Sequence, residues 1–398
     1  MKKNNRFIFF CLLVGLQGIA ANLAHPITPT LIKELNLPSY MFGLMFACMS
    51  GFNFLFSPFW GKLADYFDSR KIISMCLLGY GLGQFFFWQA GGSAAVLFAR
   101  CFSGLFIGGV GVCQLTYIVN TSDDLQRGSR LTIYATTSTV TGMFGFLIGG
   151  LLGEISLSLT FLIQVVMLML TGVLYGTLLE KDNFKEKGRI KAKVLVRDAN
   201  PFSAFVAGKQ FMTKAFAVLF AVTLFSMFAS TAYDQCFNYY IKDQFGFSSA
   251  YNGIIKAAVG IISLIANMTV CMFILKKTNV AKSNCIILIS GTVLMAGVVI
   301  TGNVAVFITL AILYLAVNAI SVPVLQSLVS AKAESRTSNL VMGFYNAMKS
   351  LGMVIGALIA GFIYEINPKM PFGFAAASFG IAFLFALVYA VKFNPQKK

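Results

Sequence analysis

Twelve long apolar runs divide the chain, and they restrict its fold more than any other feature of the sequence. A helix needs about 20 predominantly apolar residues to cross the hydrocarbon core of a bilayer. Hydrophobic residues make up 58% of the chain and charged residues only 11%, whereas soluble domains average roughly 25% charged. We therefore predict an all-α integral membrane protein whose twelve transmembrane helices lie at 7–29, 38–60, 71–91, 93–119, 131–153, 157–180, 213–242, 248–275, 281–301, 304–330, 337–364 and 370–392.

One long polar interruption separates the runs into two sets of six. It predicts an N-terminal six-helix bundle over 1–180, a cytoplasmic linker loop over 181–212 and a C-terminal bundle over 213–398. The start of the chain resembles a signal peptide, but many equally apolar segments follow, which favours an uncleaved first helix. The linker is either a solvated segment whose charge sets topology or a surface for a partner or anionic lipid; its basic residues are Lys185, Lys187, Arg189, Lys191, Lys193 and Arg197.

Positive charge is concentrated on one side of the predicted membrane. The formal net charge is +17, and 25 of the 31 Lys and Arg residues lie in the termini, the central loop and the alternate loops on their side. Because loops rich in Lys and Arg stay in the cytoplasm, we predict a multi-pass protein of the cell membrane with both termini cytoplasmic. The basicity is then an orientation signal, and a nucleic-acid partner is not expected.

The sequence offers no chemistry for an enzyme or a metal site. The eight cysteines contain no C-x-x-C pair, and His25 is the only histidine. An integral-membrane enzyme needs clustered carboxylates, histidines or a nucleophile with its base, and no such cluster is visible. We predict no enzyme activity, no cofactor and no metal. A membrane receptor that transports nothing is the alternative class of function. A receptor is expected to carry a sizeable soluble domain, whereas the largest loop here has only about 30 residues.

The loop after the second run carries a recognisable motif. It reads Gly61-Lys-Leu-Ala-Asp65-Tyr-Phe-Asp68-Ser-Arg70-Lys71 and resembles the signature loop of the major facilitator superfamily, with Asp68 where that family usually has glycine. The resemblance implies a gating loop in which Gly61, Asp65, Arg70 and Lys71 contact a neighbouring helix in one conformation and release it in another. The alternative is that these charges only orient the helix.

Two further motifs extend the resemblance. Arg100 and Gly104 in the fourth run resemble the fourth-helix pattern of the family, in which the arginine is either structural or part of coupling. The fifth run contains Gly145-Phe146-Leu-Ile-Gly149-Gly150, which resembles the antiporter motif with Phe146 in place of proline. The chain looks most like the drug:proton antiporter branch, and this implies two six-helix bundles around a central cavity.

Four ionisable residues fall inside the apolar runs, namely Arg100, Asp234, Lys256 and Lys349. A charge at the bilayer centre costs at least about 2.5 kcal/mol, so each should face a cavity or a partner. Asp234 and Lys256 each lie about 12 Å from the outer ends of successive helices. They form either a static salt bridge or a coupling pair in which Asp234 takes a proton, and a seventh-helix carboxylate resembles that of some drug exporters.

Lys349 is predicted near the membrane midplane, with Asn346 on the same helix face. It either binds a carboxylate or phosphate of a substrate or extends its amine to the membrane surface. The remaining polar candidates form helix–helix hydrogen bonds or line the cavity, and they are Gln17, Asn22, Asn238 and Asn318.

These features together predict a secondary active transporter that works by alternating access in the bilayer, as a monomer. The favoured interpretation is proton-coupled efflux of amphiphilic, drug-like small molecules, since 40 Phe and 17 Met suit an adaptable cavity. Asp234 is the favoured proton carrier and His25 the second. The alternative is transport or exchange of a small organic anion that binds Lys256 and Lys349.

Overall fold

The computed structural model describes residues 3–182, 200–333 and 338–393, and within those ranges it contains helices and no strand. Eleven helices are long and apolar enough to span a membrane, and a shorter apolar helix precedes them. The twelve-helix, all-α fold is thus confirmed. The helices are α1 Lys3–Asn22, α2 Met41–Tyr66, α3 Ser69–Trp88, α4 Ser93–Thr121, α5 Asp124–Ile155, α6 Leu157–Leu178, α7 Lys214–Asp243, α8 Ser249–Lys277, α9 Val280–Ile300, α10 Val304–Lys332, α11 Ser338–Tyr364 and α12 Met370–Lys392.

Helix ends depart from the apolar runs in two ways. The first helix ends at Asn22 rather than at residue 29, and a turn leads into the separate short helix Thr28–Glu34, which has Pro29 in its first turn. Proline fixes its own backbone angle and lacks an N–H group, so it suits a helix start better than an interior. In contrast, α5 begins at Asp124, seven residues before its apolar run. A helix can continue beyond the hydrocarbon core, whereas hydropathy identifies only the part of the helix that lies inside the core.

Contacts between helices divide the described residues into two compact units. The first contains those within Met1–Leu37, Cys48–Pro201 and Phe247–Ala257, and the second those within Pro38–Ala47, Phe202–Gly246 and Ala258–Lys398. In the first unit α3 packs on α4 and α6, and α1 packs on α5; in the second α7 packs on α11 and α12, and α9 packs on α10 and α12. The predicted domain boundaries at 180 and 213 stay predictions, and the six basic linker residues lie outside the described ranges.

Glycines allow the closest helix approaches in each unit. On α5, a methyl group at Gly145 would lie 2.5 Å from the carbonyl oxygen of Ile19, and one at Gly149 would overlap that of Leu23. On α11, Gly352 and Gly356 stand in the same way against backbone carbonyls of α7. Small residues let helix backbones pack directly on each other in a membrane. The α1–α5 and α7–α11 pairs are therefore fixed at backbone contact.

Candidate functional site

A polar cluster joins α7 and α10 inside the second unit. Ser230 and Asp234 lie one turn apart on α7, and Tyr314 and Asn318 lie one turn apart on α10. The Asn318 Nδ2 donates a hydrogen bond of 2.7 Å to the Ser230 hydroxyl. The rings of Tyr233 and Tyr314 are 4.3 Å apart. Ser230 thus pairs with Asn318, and Tyr233 on the next turn of α7 contacts Tyr314, which precedes Asn318 on α10. The two helices therefore run antiparallel, and Asp234 and Tyr314 lie at the same height along them.

Buried side-chain oxygens of this α7–α10 cluster can accept further hydrogen bonds. The Tyr233 hydroxyl and the Asn318 Oδ1 have no hydrogen-bond partner among the described residues. Asp234 directly follows Tyr233 on α7 and lies at the level of Tyr314 on α10. Buried polar groups of this kind are usually satisfied by ordered water or a bound group. The cluster therefore gathers polar side chains near Asp234 inside an apolar bundle.

The helix positions place Asp234 well inside the membrane-spanning part of α7. It lies nine residues before the helix end at Asp243, which is about 14 Å along the axis, and its side chain is half-buried. Asn238, one turn nearer that end, is also half-buried. Lys256 is a half-buried residue of α8, seven residues after Ser249, and belongs to the first unit. The Asp234–Lys256 pair stays a prediction.

Lys349 and Asn346 differ in exposure. Lys349 lies eleven residues into α11, about 16 Å from its start, and is half-buried, whereas Asn346 is exposed. Lys349 therefore lies near the middle of a 27-residue helix, and its depth in the membrane and its role stay predictions. The Asn346 side chain lies on the exposed surface of the second unit.

A second polar network crosses four helices of the first unit, with Gln114 of α4 at its centre. The Gln114 Nε2 donates to the Gln17 Oε1 at 3.0 Å and to the Tyr175 hydroxyl at 2.9 Å. The Tyr134 hydroxyl donates to the Gln114 Oε1 at 3.1 Å. One buried amide thus ties α1, α5 and α6 to α4. Of the polar residues predicted in the first span, Gln17 joins this network.

Gln114→Leu should lower the stability of the protein measurably. It leaves Gln17, Tyr134 and Tyr175 without their shared partner, and an unsatisfied buried polar group costs about 1–3 kcal/mol. We expect a clear fall in the midpoint of thermal unfolding of the purified protein in detergent. The matched control is Gln126→Leu, since the Gln126 side chain is exposed on α5. Equal shifts for both variants would show that the network contributes no stability.

Arg100 and Asn22 make local contacts that do not join them to either cluster. The Arg100 side chain is 7% exposed. Its guanidinium carbon lies 3.6 Å from the centre of the Phe87 ring, and the Met49 sulfur is 3.8 Å from Nη1. Asn22 donates to the carbonyl of Gly18 on its own helix at 2.8 Å. His25 lies beyond the end of α1, with its ring stacked on Phe146 at 5.3 Å.

The loop between α2 and α3 adopts a turn that does not need glycine. Asp68 has φ −56° and ψ 116° and accepts a hydrogen bond from the backbone N–H of Arg70, so it caps α3. Aspartate is among the preferred N-cap residues. The departure from the family pattern at Asp68 therefore leaves the turn intact and adds a cap.

The charged residues of this loop make three kinds of contact. Asp65 pairs with Lys62 at 3.4 Å on α2, while the Arg70 Nε bonds the Asp68 carboxylate at 2.7 Å. The Arg70 Nη1 also donates to the carbonyl oxygen of Leu179, directly after α6. Gly61 lies within α2, and a Cβ added to it would be 3.2 Å from a methyl group of Val112. The Lys71 side chain is exposed. The loop thus binds a neighbouring helix through Arg70, and its gating role stays a prediction.

Sequence reasoning missed most partners in both clusters. Single polar residues in apolar runs led to Gln17, Asp234 and Asn318. The missed residues are hydroxyl or amide side chains in equally apolar runs, and a search for polar residues one turn apart in two runs would have found some of them: Gln114, Tyr134, Tyr175, Ser230, Tyr233 and Tyr314.

Comparison with known proteins relates this arrangement to one family. Residues 10–348 match the sequence model of the Major Facilitator Superfamily. The chain is 21% identical to Multidrug resistance protein 1 of Bacillus subtilis (strain 168), over 98% of this chain and 97% of that protein. It is 24% identical to Tetracycline resistance protein, class C, of Escherichia coli, over 92% and 91% respectively. The crystal structure of the nucleoside transporter NupG is similar with a TM-score of 0.76 at 14% identity, covering 98% of this chain and all of that chain.

Proposed function

The chain belongs to the major facilitator superfamily, and from that premise we propose that it exports amphiphilic, drug-like compounds from the cell in exchange for protons. Membership makes it a multi-pass membrane transporter. The names of the multidrug and tetracycline resistance proteins support a drug-like substrate. The abundant Phe and Met side chains support the same class, because flexible apolar side chains adapt to ligands of different shape.

The α7–α10 cluster is the observation that carries the proton coupling. An ionised carboxylate inside the membrane is costly, and in the proposal Asp234 is the residue that binds the transported proton. The buried oxygens of Tyr233 and Asn318 that lack a hydrogen-bond partner among the described residues can bind the water through which a proton reaches Asp234. In the proposed cycle Asp234 takes a proton from outside and releases it inside while substrate moves outward.

A pH gradient supplies the energy for such an exchange. A difference of one pH unit is worth about 1.4 kcal/mol per proton, which is about a tenfold concentration ratio of a neutral substrate. Alternating access then needs a site that is open to one side at a time. We propose that the protein does this as a monomer in the bilayer with both termini in the cytoplasm, as the distribution of Lys and Arg supports.

The test is transport by the purified protein in liposomes with an imposed pH gradient. Ethidium serves as the fluorescent lipophilic cation, and its accumulation is followed in the presence and absence of a protonophore. We expect accumulation that follows the gradient and ends when the protonophore collapses it. Accumulation that does not depend on the gradient would exclude proton coupling.

A second candidate function rests on Lys349. A half-buried lysine about 16 Å along α11 can anchor a small organic anion. Under the leading proposal Lys349→Ala should change ethidium export by less than about twofold, since a cation gains nothing from a nearby ammonium group. Under the alternative it should reduce uptake of a carboxylate substrate about tenfold or more, the effect of a lost charged contact worth about 1.4 kcal/mol or more. Lys349→Arg keeps the charge and is the matched control, and transport of both substrate classes is measured on the same liposomes.

A further inference from the structure

The segment that leads into α7 lies against α11. We call residues 202–213 the entry segment, and it contains the short helix Ser203–Ala207. The centre of the Phe344 ring of α11 lies 5.4 Å from that of Phe205 and 5.9 Å from that of Phe211. The entry segment and α11 belong to the same unit, and these ring contacts fix the segment on it.

A cavity of about 350 Å³ lies where the entry segment meets α7 and the end of α10. Its wall includes the buried rings of Phe211 and Phe216. The side chains of Lys209 and Lys332 also line it, and both are exposed. We call this cavity the basic pocket, because two ammonium groups from separate parts of the chain border it.

The acids in the described part of the second unit lie far along the helices from the basic pocket. They are Asp234, Asp243 and Glu365. Asp234 lies about 30 Å along α7 from the helix start and Asp243 lies at the opposite end of that helix. Glu365 directly follows the last residue of α11. Within this part of the chain the pocket therefore offers positive charge that a bound anion can neutralise.

The length of α7 places the basic pocket at the level of lipid headgroups. Its 30 residues span about 45 Å, and a bilayer with both headgroup regions is about 40–45 Å thick. The entry segment directly precedes α7, and Lys332 is the last residue of the 29-residue α10. The two lysines therefore lie at the height of the phosphates of one leaflet, which is the cytoplasmic leaflet in the proposed orientation.

Exposed apolar side chains accompany the basic pocket on the entry segment. Val206 is 69% exposed, and Phe202 and Met212 are exposed as well. The N–H of Val206 donates to the carbonyl oxygen of Phe202 at 3.2 Å, so these two residues lie one helical turn apart. Apolar side chains at this height enter the boundary between headgroups and acyl chains. A soluble phosphate compound gains nothing from them, whereas a phospholipid presents a phosphate and acyl chains together.

We propose that the basic pocket binds the phosphate of an anionic phospholipid whose acyl chains lie against the exposed apolar side chains of the entry segment. Lys209 and Lys332 donate hydrogen bonds to the phosphate oxygens, and Val206 and Met212 contact the acyl chains. Basic pockets at the cytoplasmic ends of membrane helices bind headgroups of this kind. The bound lipid links the entry segment to α10. This site goes beyond the proposed transport, because it needs no assumption about substrate or coupling ion.

The test is lipid binding by the purified full-length protein in detergent, measured by native mass spectrometry. Phosphatidylglycerol and phosphatidylcholine are supplied in equal amounts, and we expect the wild type to retain phosphatidylglycerol preferentially. Lys209→Gln combined with Lys332→Gln should weaken its binding at least about tenfold, since each lysine near an anionic lipid contributes about fivefold. The matched control is Lys276→Gln combined with Lys277→Gln, which removes the same charge from exposed lysines at the end of α8. It should change binding by less than about twofold.

Two further measurements distinguish a lipid from a soluble phosphate compound. Val206→Asn should weaken phosphatidylglycerol binding although both lysines are present, and an excess of inorganic phosphate or glycerol 3-phosphate should not displace the lipid from the wild type. Displacement by either compound, or equal losses in the two double variants, would overturn the assignment. The replaced side chains are all exposed, so the variants should fold and a loss of binding reports on the pocket. Asp234→Asn should bind phosphatidylglycerol as the wild type does, so this site and the proposed coupling succeed or fail separately.

Discussion

Asp234→Asn is expected to separate transport from the pH gradient. The amide has nearly the shape of the carboxyl group and can keep hydrogen bonds in the α7–α10 cluster, but it cannot take up or release a proton. We expect gradient-driven ethidium accumulation in liposomes to fall at least about tenfold, which is a loss of about 1.4 kcal/mol or more of coupling free energy. Exchange of labelled for unlabelled ethidium without a gradient should continue, because it needs movement of the loaded carrier alone.

The matched control is Asp243→Asn on the same helix. Asp243 lies at the end of α7, where it accepts a part-buried hydrogen bond of 2.8 Å from the Tyr364 hydroxyl. Its substitution should leave the response to the gradient within about twofold, since a single hydrogen bond contributes only about 1 kcal/mol to stability. Loss of both exchange and accumulation in Asp234→Asn would indicate a structural role for this residue. Gradient-driven accumulation that survives the substitution would exclude Asp234 as the proton carrier.

Gly149→Ala is expected to destabilise the protein strongly, although it adds only one methyl group. The new Cβ would overlap the backbone carbonyl oxygen of Leu23, and a backbone atom cannot rotate away as a side chain can. Overpacking of this kind costs about 1–3 kcal/mol, and α1 and α5 would have to separate along much of their length. The midpoint of thermal unfolding in detergent and the fraction of monodisperse protein after purification should both fall.

Two further glycine variants make this prediction specific. Gly356→Ala should behave in the same way, because it meets the carbonyl of Phe228 in the second unit. Gly128→Ala, on α5 with open space around its Cα, should be neutral or slightly stabilising, since alanine favours helix by about 1 kcal/mol over glycine. If Gly149→Ala and Gly128→Ala have the same stability, direct backbone packing of α1 on α5 is wrong.

The fold could be predicted from the sequence because the bilayer leaves few alternatives. In hydrocarbon every backbone polar group must be bonded within the segment, so an apolar run of about 20 residues becomes a helix. Helix ends could not be predicted as well. The turn after Asn22 and the early start of α5 at Asp124 depend on proline geometry and on packing outside the hydrocarbon, and hydropathy does not report either of them.

The candidate site was predictable in part for a similar reason. A carboxylate or amide in an apolar run is unusual enough to identify Asp234, Asn318 and Gln17 directly. Their partners Ser230 and Gln114 are identified only when the rotation of each helix about its axis is known. Asp68 shows the opposite case, because it stands where the family usually has glycine, and only the structure shows that it caps the start of α3.

Proton movement driven by substrate alone is the sharpest test of coupling through Asp234. Liposomes containing the purified protein and a trapped pH-sensitive dye, with no pH gradient imposed, receive an outward or inward gradient of ethidium. We predict that protons move in the direction opposite to the substrate and change the lumenal pH accordingly, and that Asp234→Asn abolishes this change while ethidium still crosses the membrane. Ethidium flux through the wild-type protein at constant lumenal pH would contradict proton exchange.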